Sequence, residues 1–299
     1  MHICLLVGGM LCVSAMTNAQ DSIDVQGHRG CRGLRPENTI PAFIHALTLG
    51  DSTRRVTTLE LDVVVTQDGQ LLVSHEPFLS HLICTGPEGK RITATQEKEY
   101  NLYQMPYEQI RRCDCGSQKH PRFPEQQPVA CPKPLLTDVI DSVEQYLRRH
   151  NRPLVQYNIE TKSTKEGDGI FHPAPKEFAT LLLAVLAEKG ITERTIMQSF
   201  DVRTLQEARR LAPKLRQALL VENLWGVRKN IEALSYKPEI YSPEFRLVNK
   251  KLREYTRQQE MLLIPWTVNE RDDIQKMLQL GVDGIISDYP DRVIALVHG

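Results

Sequence analysis

Residues 57–65 read Thr57-Thr58-Leu59-Glu60-Leu61-Asp62-Val63-Val64-Val65 and form the clearest strand signal in the chain. The run is rich in aliphatic and β-branched residues, which are typical of strands. Glu60 and Asp62 are two positions apart, so in a strand both carboxylates point to the same face. Two carboxylates on one face repel each other unless a cation or a proton lies between them. The run therefore predicts a strand that carries an acidic site.

Strand-like and helix-like runs alternate along the whole chain. The predicted strands are residues 23–27, 57–65, 154–160, 195–199, 216–221, 239–242, 262–267 and 281–287. The predicted helices are residues 40–49, 139–150, 176–189, 202–211, 227–234, 248–259 and 270–280, with a short last helix over 290–297. Eight strands separated by helices predict an α/β fold of the (β/α)₈ TIM barrel type, for which 299 residues are sufficient.

Residues that could take part in catalysis or binding lie where the predicted strands end. His28, Glu60, Asp62, Glu160 and Trp266 all lie at or just past the end of a predicted strand. In a (β/α)₈ barrel the catalytic groups lie at the C-terminal ends of the strands. The strand pattern and the positions of these side chains therefore indicate one common site.

A long segment interrupts the alternation after the second strand. Asp68-Gly69 is typical of a hairpin turn, and the return over residues 71–74 should bring His75 back over the acidic pair. Residues 76–134 are rich in Pro, Gln, Cys and charge and show little periodicity. Because a structureless loop of that length would be unusual, we interpret the segment as a Cys-containing insertion over the barrel mouth.

Several ordered motifs resemble the glycerophosphodiester phosphodiesterase family. They are His28-Arg29-Gly30, Arg35-Pro36-Glu37-Asn38-Thr39, Glu60-Leu61-Asp62, Thr66-Gln67-Asp68-Gly69, His75, Pro265-Trp266-Thr267-Val268-Asn269 and Gly281-Val282-Asp283-Gly284-Ile285-Ile286-Ser287-Asp288-Tyr289-Pro290. The resemblance extends from about residue 25 to the end of the chain. It implies a metal-dependent hydrolase that converts a glycerophosphodiester to glycerol 3-phosphate and an alcohol.

Glu60, Asp62 and Glu160 are the predicted metal ligands. All three are carboxylates, which favour a hard cation such as Mg²⁺, Ca²⁺ or Mn²⁺. In the family's pattern the matching E-x-K, here Glu160 and Lys162, supplies a metal ligand and a lysine that faces the phosphate. The alternative for these two residues is a solvated Glu–Lys pair at a strand end.

His28 and His75 are the predicted acid and base, because imidazole titrates near neutral pH and can both take and give a proton. We favour His28 as the base and His75 as the acid, although the sequence does not fix the order. Arg29 is expected to hold the phosphate, since guanidinium offers paired donors. Gln198 and Trp266 are expected to line the pocket, with Trp266 packed on the glycerol carbons; the alternative for Trp266 is plain core.

Four further polar residues are interpreted mainly as helix caps. Asn38 and Thr39 are plausible N-caps of the first helix, and Glu37 in the same turn is expected also to orient Arg29 or a site histidine. Asp288 follows the eighth strand and is predicted to be a helix cap rather than a catalyst.

The seven cysteines and the N-terminus indicate export. Residues 1–19 lack Asp, Glu, Lys and Arg, and residues 3–16 are mainly apolar but too short to cross a bilayer comfortably. We therefore expect a signal peptide of residues 1–19, followed by one domain over residues 20–299 in the periplasm or outside the cell. The alternatives are a wrongly chosen start codon and a short membrane anchor.

Disulfides are expected in the insertion. Two of the seven cysteines, Cys4 and Cys12, lie in the expected signal peptide, which leaves five. Four of these, Cys84, Cys113, Cys115 and Cys131, allow three pairings, among which the sequence cannot choose, and Cys31 is then left over. A zinc cluster of the four is the alternative, but the usual paired spacing of zinc ligands is missing.

The overall charge limits the kinds of partner that the protein is expected to bind. Lys plus Arg equals Asp plus Glu at 37 each, which argues against a general nucleic-acid binder. We expect a small-molecule substrate and no stable membrane insertion after signal cleavage. One rival function is a phospholipase-type phosphodiesterase on a similar barrel, acting as a lysophospholipase D or on phosphoinositide or sphingolipid headgroups. The other rival is a non-catalytic phosphodiester-binding protein, against which the intact set of candidate residues argues.

Overall fold

The computed structural model describes residues 23–297, in which eight parallel strands form a nearly closed barrel surrounded by helices. The predicted (β/α)₈ barrel is confirmed, and the predicted signal peptide of residues 1–19 lies outside the described residues. The strands are β1 (Asp24–Gly27), β2 (Thr58–Val65), β3 (Leu71–Val73), β4 (Gln156–Thr161), β5 (Thr195–Ser199), β6 (Arg216–Val221), β7 (Ile240–Pro243), β8 (Leu262–Leu263) and β9 (Gly284–Ser287).

The helices pack around the outside of the barrel. They are α1 (Ile40–Thr48), α2 (Tyr107–Ile110), α3 (Leu136–Arg149), α4 (Pro175–Glu188), α5 (Val202–Leu211), α6 (Val227–Leu234), α7 (Lys250–Gln258), α8 (Arg271–Gln279) and α9 (Pro290–Ile294). On α4, Phe178, Leu182 and Leu186 recur at helical spacing and are fully buried against the barrel. Within residues 23–297, no helix has both the length and the apolar character needed to cross a membrane.

The strand order is β8-β7-β6-β5-β4-β2-β1-β9, and β3 pairs antiparallel with β2 beside this path. The barrel closes between β8 and β9, where the Asp283 N–H donates to the Leu263 carbonyl at 2.9 Å and the Ile286 N–H donates to the Pro265 carbonyl at 3.0 Å. Strand β8 is shorter than the predicted 262–267: Pro265 has no N–H to donate toward β9, although the Trp266 N–H still donates to the Pro243 carbonyl of β7 at 3.1 Å.

Alternate residues of the strands face the helices and the barrel interior. On β2, Leu59 and Leu61 join the core beneath the helices, whereas Glu60 and Asp62 take the opposite face. One apolar cluster inside the barrel is built from Ile196, Ala218, Ile240, Ile264 and Ile286. Together with the buried side chains of Gln26 and Asn158 at the same level, these residues fill the barrel below Glu60 and Asp62, so the acidic pair lies toward the C-terminal ends of the strands.

The loop between β1 and α1 is tightly packed. Gly30 has a φ of +85°, and a Cβ there would lie 2.8 Å from Ala42 of α1, so only glycine fits. Helix α1 begins after Thr39, whose hydroxyl accepts a hydrogen bond from the Ala42 N–H at 3.3 Å. The predicted cap at Thr39 is thus confirmed, and the tight loop fixes His28 and Arg29 at the barrel mouth.

The insertion, residues 76–134, is a small lobe with its own core. Val64 and Leu72 project from β2 and β3 into this core, which contains buried side chains of the insertion and the disulfide Cys84–Cys115. The expectation of disulfides is therefore met for one pair, whereas Cys113, Cys131 and Cys31 form no disulfide within residues 23–297. The pairing could not be predicted, because it depends on how the lobe folds.

The lobe is tied to two loops of the barrel mouth. The Gln126 side-chain amide donates to the Arg32 carbonyl at 2.7 Å, in the loop after β1. The Asn101 side-chain amide donates to the Ile170 carbonyl at 2.7 Å, in the loop after β4. These contacts hold the insertion over the C-terminal end of the barrel, as the sequence predicts.

Candidate active site

Three buried carboxylates meet at the C-terminal ends of β2 and β4. The strand register places Asp62 beside Glu160, and Glu60 lies one interior position below Asp62. Carboxylate oxygens of Glu60, Asp62 and Glu160 all lie within 4.8 Å of one another. The structure therefore brings the three predicted metal ligands together.

The charges of this acidic cluster are only partly balanced. Burial, reinforced by repulsion from Asp62, raises the pKa of Glu60 well above its usual range. Burial also raises the pKa of Glu160, although Lys162 opposes the change. Burial would raise the pKa of Asp62 too, but the attraction of Arg29 outweighs it and lowers that pKa. Removal of the cluster from water thus favours a bound proton or cation at Glu60 and Glu160.

The donor set of the cluster fits a hard divalent cation. Asp62 Oδ1 is buried and has no hydrogen-bond partner among the described residues. A buried carboxylate oxygen without a partner is costly, and a cation bound by Glu60, Asp62 and Glu160 would satisfy it. Carboxylate oxygens are the ligands that Mg²⁺, Ca²⁺ and Mn²⁺ prefer.

Hydrogen bonds fix two of the carboxylates in place. Glu60 accepts from the Arg29 backbone N–H at 2.8 Å and from the Gln198 side-chain amide at 2.7 Å. Asp62 Oδ2 accepts from Asn38 Nδ2 at 2.8 Å. The prediction that Asn38 caps the first helix is therefore wrong: its φ of +57° turns the side chain to Asp62, and Thr39 alone caps the helix.

His28 presents an unprotonated nitrogen to the site. Its Nδ1 lies 2.5 Å from Asp288 Oδ1, and its Nε2 lies 3.9 Å from Glu60 Oε2. Burial lowers the pKa of His28 to about 4, despite the opposing attraction of Asp288. Burial of Asp288 is outweighed by His28 and Arg32, which hold its pKa well below the usual range. Because an ionised Asp288 can only accept, we assign the proton to Nδ1, which leaves the lone pair on Nε2.

Asp288 is the clearest site residue that the sequence prediction missed. It was predicted to cap the last helix, but α9 begins after Tyr289 and has no side-chain cap. Asp288 instead accepts hydrogen bonds from His28, from Arg32 Nε at 2.8 Å and from Asn269 Nδ2 at 2.8 Å. The signal in the sequence was its position: like Glu160, Asp288 lies at the C-terminal end of a barrel strand, where catalytic groups are expected.

His75 returns to the site through the β2–β3 hairpin. The Ser74 N–H donates to the Asp62 carbonyl at 3.0 Å, which fixes His75 beside the acidic cluster, as predicted. Its Nδ1 lies 2.7 Å from Glu76 Oε1, and this hydrogen bond is the main reason that the pKa of Glu76 is lowered. The His75 side chain is 29% exposed against 12% for His28, so the two imidazoles lie in different surroundings.

Two cations balance part of the acidic charge. Arg29 donates to Glu37 at 2.7 Å, and its Nε lies 3.2 Å from Asp62 Oδ2, so the prediction that Glu37 orients Arg29 is confirmed. Lys162 Nζ lies 2.7 Å from Glu160 Oε1 and 3.7 Å from Asp62 Oδ1. Both cations face the cavity where a phosphate would bind.

The predicted residues surround one cavity of about 240 Å³. Of the nine predicted site residues, eight line it directly: His28, Arg29, Glu60, His75, Glu160, Lys162, Gln198 and Trp266. Asp62 lies beside it in the acidic cluster. The Trp266 ring meets Phe200 edge to face at 5.4 Å, and its indole N–H donates to the Ser242 carbonyl at 2.9 Å. Trp266 is thus an ordered wall of the cavity rather than plain core.

Known proteins resemble this chain in sequence and in fold. Residues 28–292 match the model of the glycerophosphoryl diester phosphodiesterase family. A glycerophosphodiester phosphodiesterase of Caldanaerobacter subterraneus subsp. tengcongensis is 30% identical, over 92% of this chain and 97% of that protein. A crystal structure from Silicibacter pomeroyi, provisionally assigned as a glycerophosphoryl diester phosphodiesterase, has a TM-score of 0.81 at 30% identity and covers 92% of this chain and 94% of that one.

A more distant relative has a different printed activity. Human lysophospholipase D GDPD1 is 24% identical, over 91% of this chain and 85% of that protein. The family match nevertheless spans most of the chain, and the relatives at 30% identity cover nearly all of it. The chain therefore belongs to the glycerophosphoryl diester phosphodiesterase family and is an enzyme of that type.

Proposed function

We propose that the enzyme hydrolyses glycerophosphodiesters to glycerol 3-phosphate and an alcohol, and that it needs a divalent cation held by Glu60, Asp62 and Glu160. The observation that carries the proposal is Oδ1 of Asp62, which accepts no hydrogen bond from the described residues although it lies inside a buried acidic cluster. The cation would supply positive charge that a phosphoryl oxygen needs as negative charge builds on it. The rest of the chemistry can be derived from the side chains of this chain.

Arg29 and Lys162 hold the phosphodiester. Each is paired with carboxylates of the site and lines the same cavity, so each has a fixed position beside that space. Guanidinium and ammonium donors bind phosphoryl oxygens through charge-assisted hydrogen bonds. Trp266 and Phe200 provide apolar faces on which the glycerol carbons pack.

His28 takes the proton from the attacking hydroxyl, which belongs to water or to the glycerol of the substrate. In the second case departure of the alcohol leaves a cyclic glycerol phosphate, which a water molecule then opens to glycerol 3-phosphate. Nε2 of His28 is free to accept, while Asp288 holds the ring through Nδ1 and stabilises the imidazolium that forms. His75 gives a proton to the oxygen of the departing alcohol. This assignment follows because buried His28 is neutral near pH 7 and His75 is the other imidazole that lines the cavity among the described residues.

A second candidate function is the cleavage of lysophospholipids. Leu224 and Trp225, in the loop after β6, are 88% and 66% exposed and could contact an acyl chain. The relative named as a human lysophospholipase D supports the same possibility. A substrate panel separates this candidate from the first.

The test is hydrolysis of a panel by protein treated with EDTA, to which Mg²⁺, Ca²⁺ or Mn²⁺ is returned. The panel contains glycerophosphocholine, glycerophosphoethanolamine, glycerophosphoserine and lysophosphatidylcholine. We expect glycerol 3-phosphate and the free alcohol in equal amounts, and only with a divalent cation present. Turnover of lysophosphatidylcholine alone would favour the second candidate, and full turnover in EDTA would contradict the metal site.

Asp288→Asn tests how His28 is positioned. Asp288 raises the pKa of His28 against the effect of burial, so loss of the carboxylate charge should lower that pKa further. We expect kcat to fall roughly a hundredfold, because the base is weaker and less well oriented. The acidic limb of the profile of kcat/KM against pH should move to lower pH. Asp272→Asn, on the exposed surface of α8, is the control. A loss of kcat with an unmoved profile would indicate a structural role only.

A further inference from the structure

A second cavity adjoins the proposed catalytic cavity. It has a volume of about 190 Å³, and both cavities are lined by Arg29, Arg32, His75 and Arg122. The rest of its wall comes mainly from the insertion, which contributes Glu76 and Lys133 among others. We call it the lobe chamber. His75 lies at the boundary between the two cavities, so the alcohol that it protonates would extend into the lobe chamber.

Lys133 is an unusual residue for the wall of such a chamber. Its side chain is only 3% exposed, yet within residues 23–297 it has neither a hydrogen bond nor an ion pair. Burial outweighs the attraction of Glu37 and Glu76 and lowers the pKa of Lys133. The residue is almost fully buried, but its ammonium group reaches the chamber that the side chain lines, so a ligand in the chamber can supply the partner that the protein does not.

The carboxylates near Lys133 are already engaged. Glu37 accepts from Arg29 at 2.7 Å, and Glu76 Oε1 lies 2.7 Å from His75 Nδ1. Neither carboxylate forms an ion pair with Lys133. These carboxylates attract Lys133 from a distance, but none of them occupies its ammonium group.

The other basic groups of the chamber differ in how they are paired. Arg32 is neutralised by Asp288 at 2.8 Å and stacks on Phe123 at 4.8 Å. Arg122 is exposed and has no carboxylate partner among the described residues. His120 Nδ1 accepts from the Arg122 N–H at 3.1 Å and so carries no proton there. Lys133 and Arg122 thus leave the chamber with surplus positive charge, which suits an anion and repels an ammonium group.

We propose that the lobe chamber binds an anionic group, a carboxylate or a second phosphate, on the alcohol half of the substrate, with Lys133 as its main contact. The inference rests on the proposed function, because it requires the alcohol to leave on the His75 side. It implies that glycerophosphoserine is a better substrate than glycerophosphoethanolamine. These two diesters differ only by the carboxylate that the chamber would recognise.

The first test compares these two substrates in wild-type protein and in Lys133→Met, which has a side chain of similar length and no charge. We expect wild type to favour glycerophosphoserine, and Lys133→Met to lose at least about tenfold in kcat/KM for this substrate, as for a charge-assisted hydrogen bond. The value for glycerophosphoethanolamine should stay within about twofold. Lys214→Met, on the exposed surface, should leave both values unchanged. An equal effect of Lys133→Met on both substrates would overturn the proposal.

Lys133→Arg keeps the charge and should keep part of the preference for glycerophosphoserine. Thermal unfolding of both variants shows whether they fold, and we expect Lys133→Met to unfold at the wild-type temperature or above, because it removes an unpaired buried charge. If Lys133→Met does not fold, wild type and Lys133→Arg provide the test. Equal kcat/KM values for glycerophosphoserine and glycerophosphoethanolamine in both proteins would contradict the proposal.

A binding measurement separates this inference from the proposed function. In His28→Ala, calorimetric titration with a divalent cation present should show tighter binding of glycerophosphoserine than of glycerophosphoethanolamine. The added substitution Lys133→Met should abolish the difference. Selective binding without any release of glycerol 3-phosphate by wild type would contradict the proposed function and support the chamber. Turnover of both diesters without selectivity would overturn the chamber alone.

Discussion

His28→Ala should lower kcat for glycerophosphodiester hydrolysis by at least about a thousandfold, because it removes the general base. The expectation follows from the geometry: Nε2 of His28 is unprotonated, faces the cavity and is held by the hydrogen bond between Nδ1 and Asp288. No hydroxyl or water at the same place has comparable basicity near pH 7. Because the ring is not proposed to bind the phosphate, KM should change much less than kcat. Steady-state rates at saturating substrate and cation give both constants.

The matched control for this substitution is His81→Ala. His81 belongs to the insertion and pairs with Glu97 at 2.5 Å, and it does not line the catalytic cavity. Its removal should leave kcat within about twofold, as for surface changes away from a site. Thermal unfolding establishes that both variants are folded. If His28→Ala retained more than about a tenth of the wild-type kcat, the base would have to be another group.

Asp62→Asn should abolish cation-dependent activity, again with a loss of at least about a thousandfold. The amide oxygen of asparagine can still accept from Asn38, but the amide nitrogen would replace the unpartnered Oδ1. An N–H₂ group cannot bind a cation, and the cluster would also lose a negative charge. The variant should therefore fold as wild type does and fail to bind the metal.

Thermal unfolding measures the same loss without an activity assay. A ligand at a hundred times its Kd stabilises the folded state by about 2.7 kcal/mol, which corresponds to a rise of several degrees in Tm. Wild type should show this rise with the cation that supports turnover, and Asp62→Asn should not. Asp272→Asn, which removes an exposed carboxylate of α8, should respond as wild type does. A rise of equal size in Asp62→Asn would place the cation elsewhere.

Part of the site could be predicted because it obeys local periodicity. Glu60 and Asp62 share a face through the two-residue repeat of a strand, and Glu160 ends another strand of the same barrel. The fold was predictable for the same reason, since apolar runs of strand and helix type alternate along the chain. These features depend on neighbours in sequence, which a single chain reveals.

The missed residues depend on contacts between distant parts of the chain. His28 and Asp288 are 260 positions apart, and Asn38 and Asp62 are 24 apart, so no local pattern joins them. Asp and Asn are also good helix caps, and that interpretation competed with the correct one. Lys133, next to a proline in a segment without periodicity, gives no sign in the sequence that it is buried.

The filled interior of the barrel also determines how the substrate enters the cavity and how the products leave it. Buried side chains fill the interior, among them Ile196, Ala218, Ile240, Ile264 and Ile286, and they close the inner end of the cavity. The diester therefore enters, and both products leave, through the same opening beneath the insertion. A product molecule that remains bound there blocks the next substrate molecule, so accumulated product should inhibit the enzyme in competition with the diester.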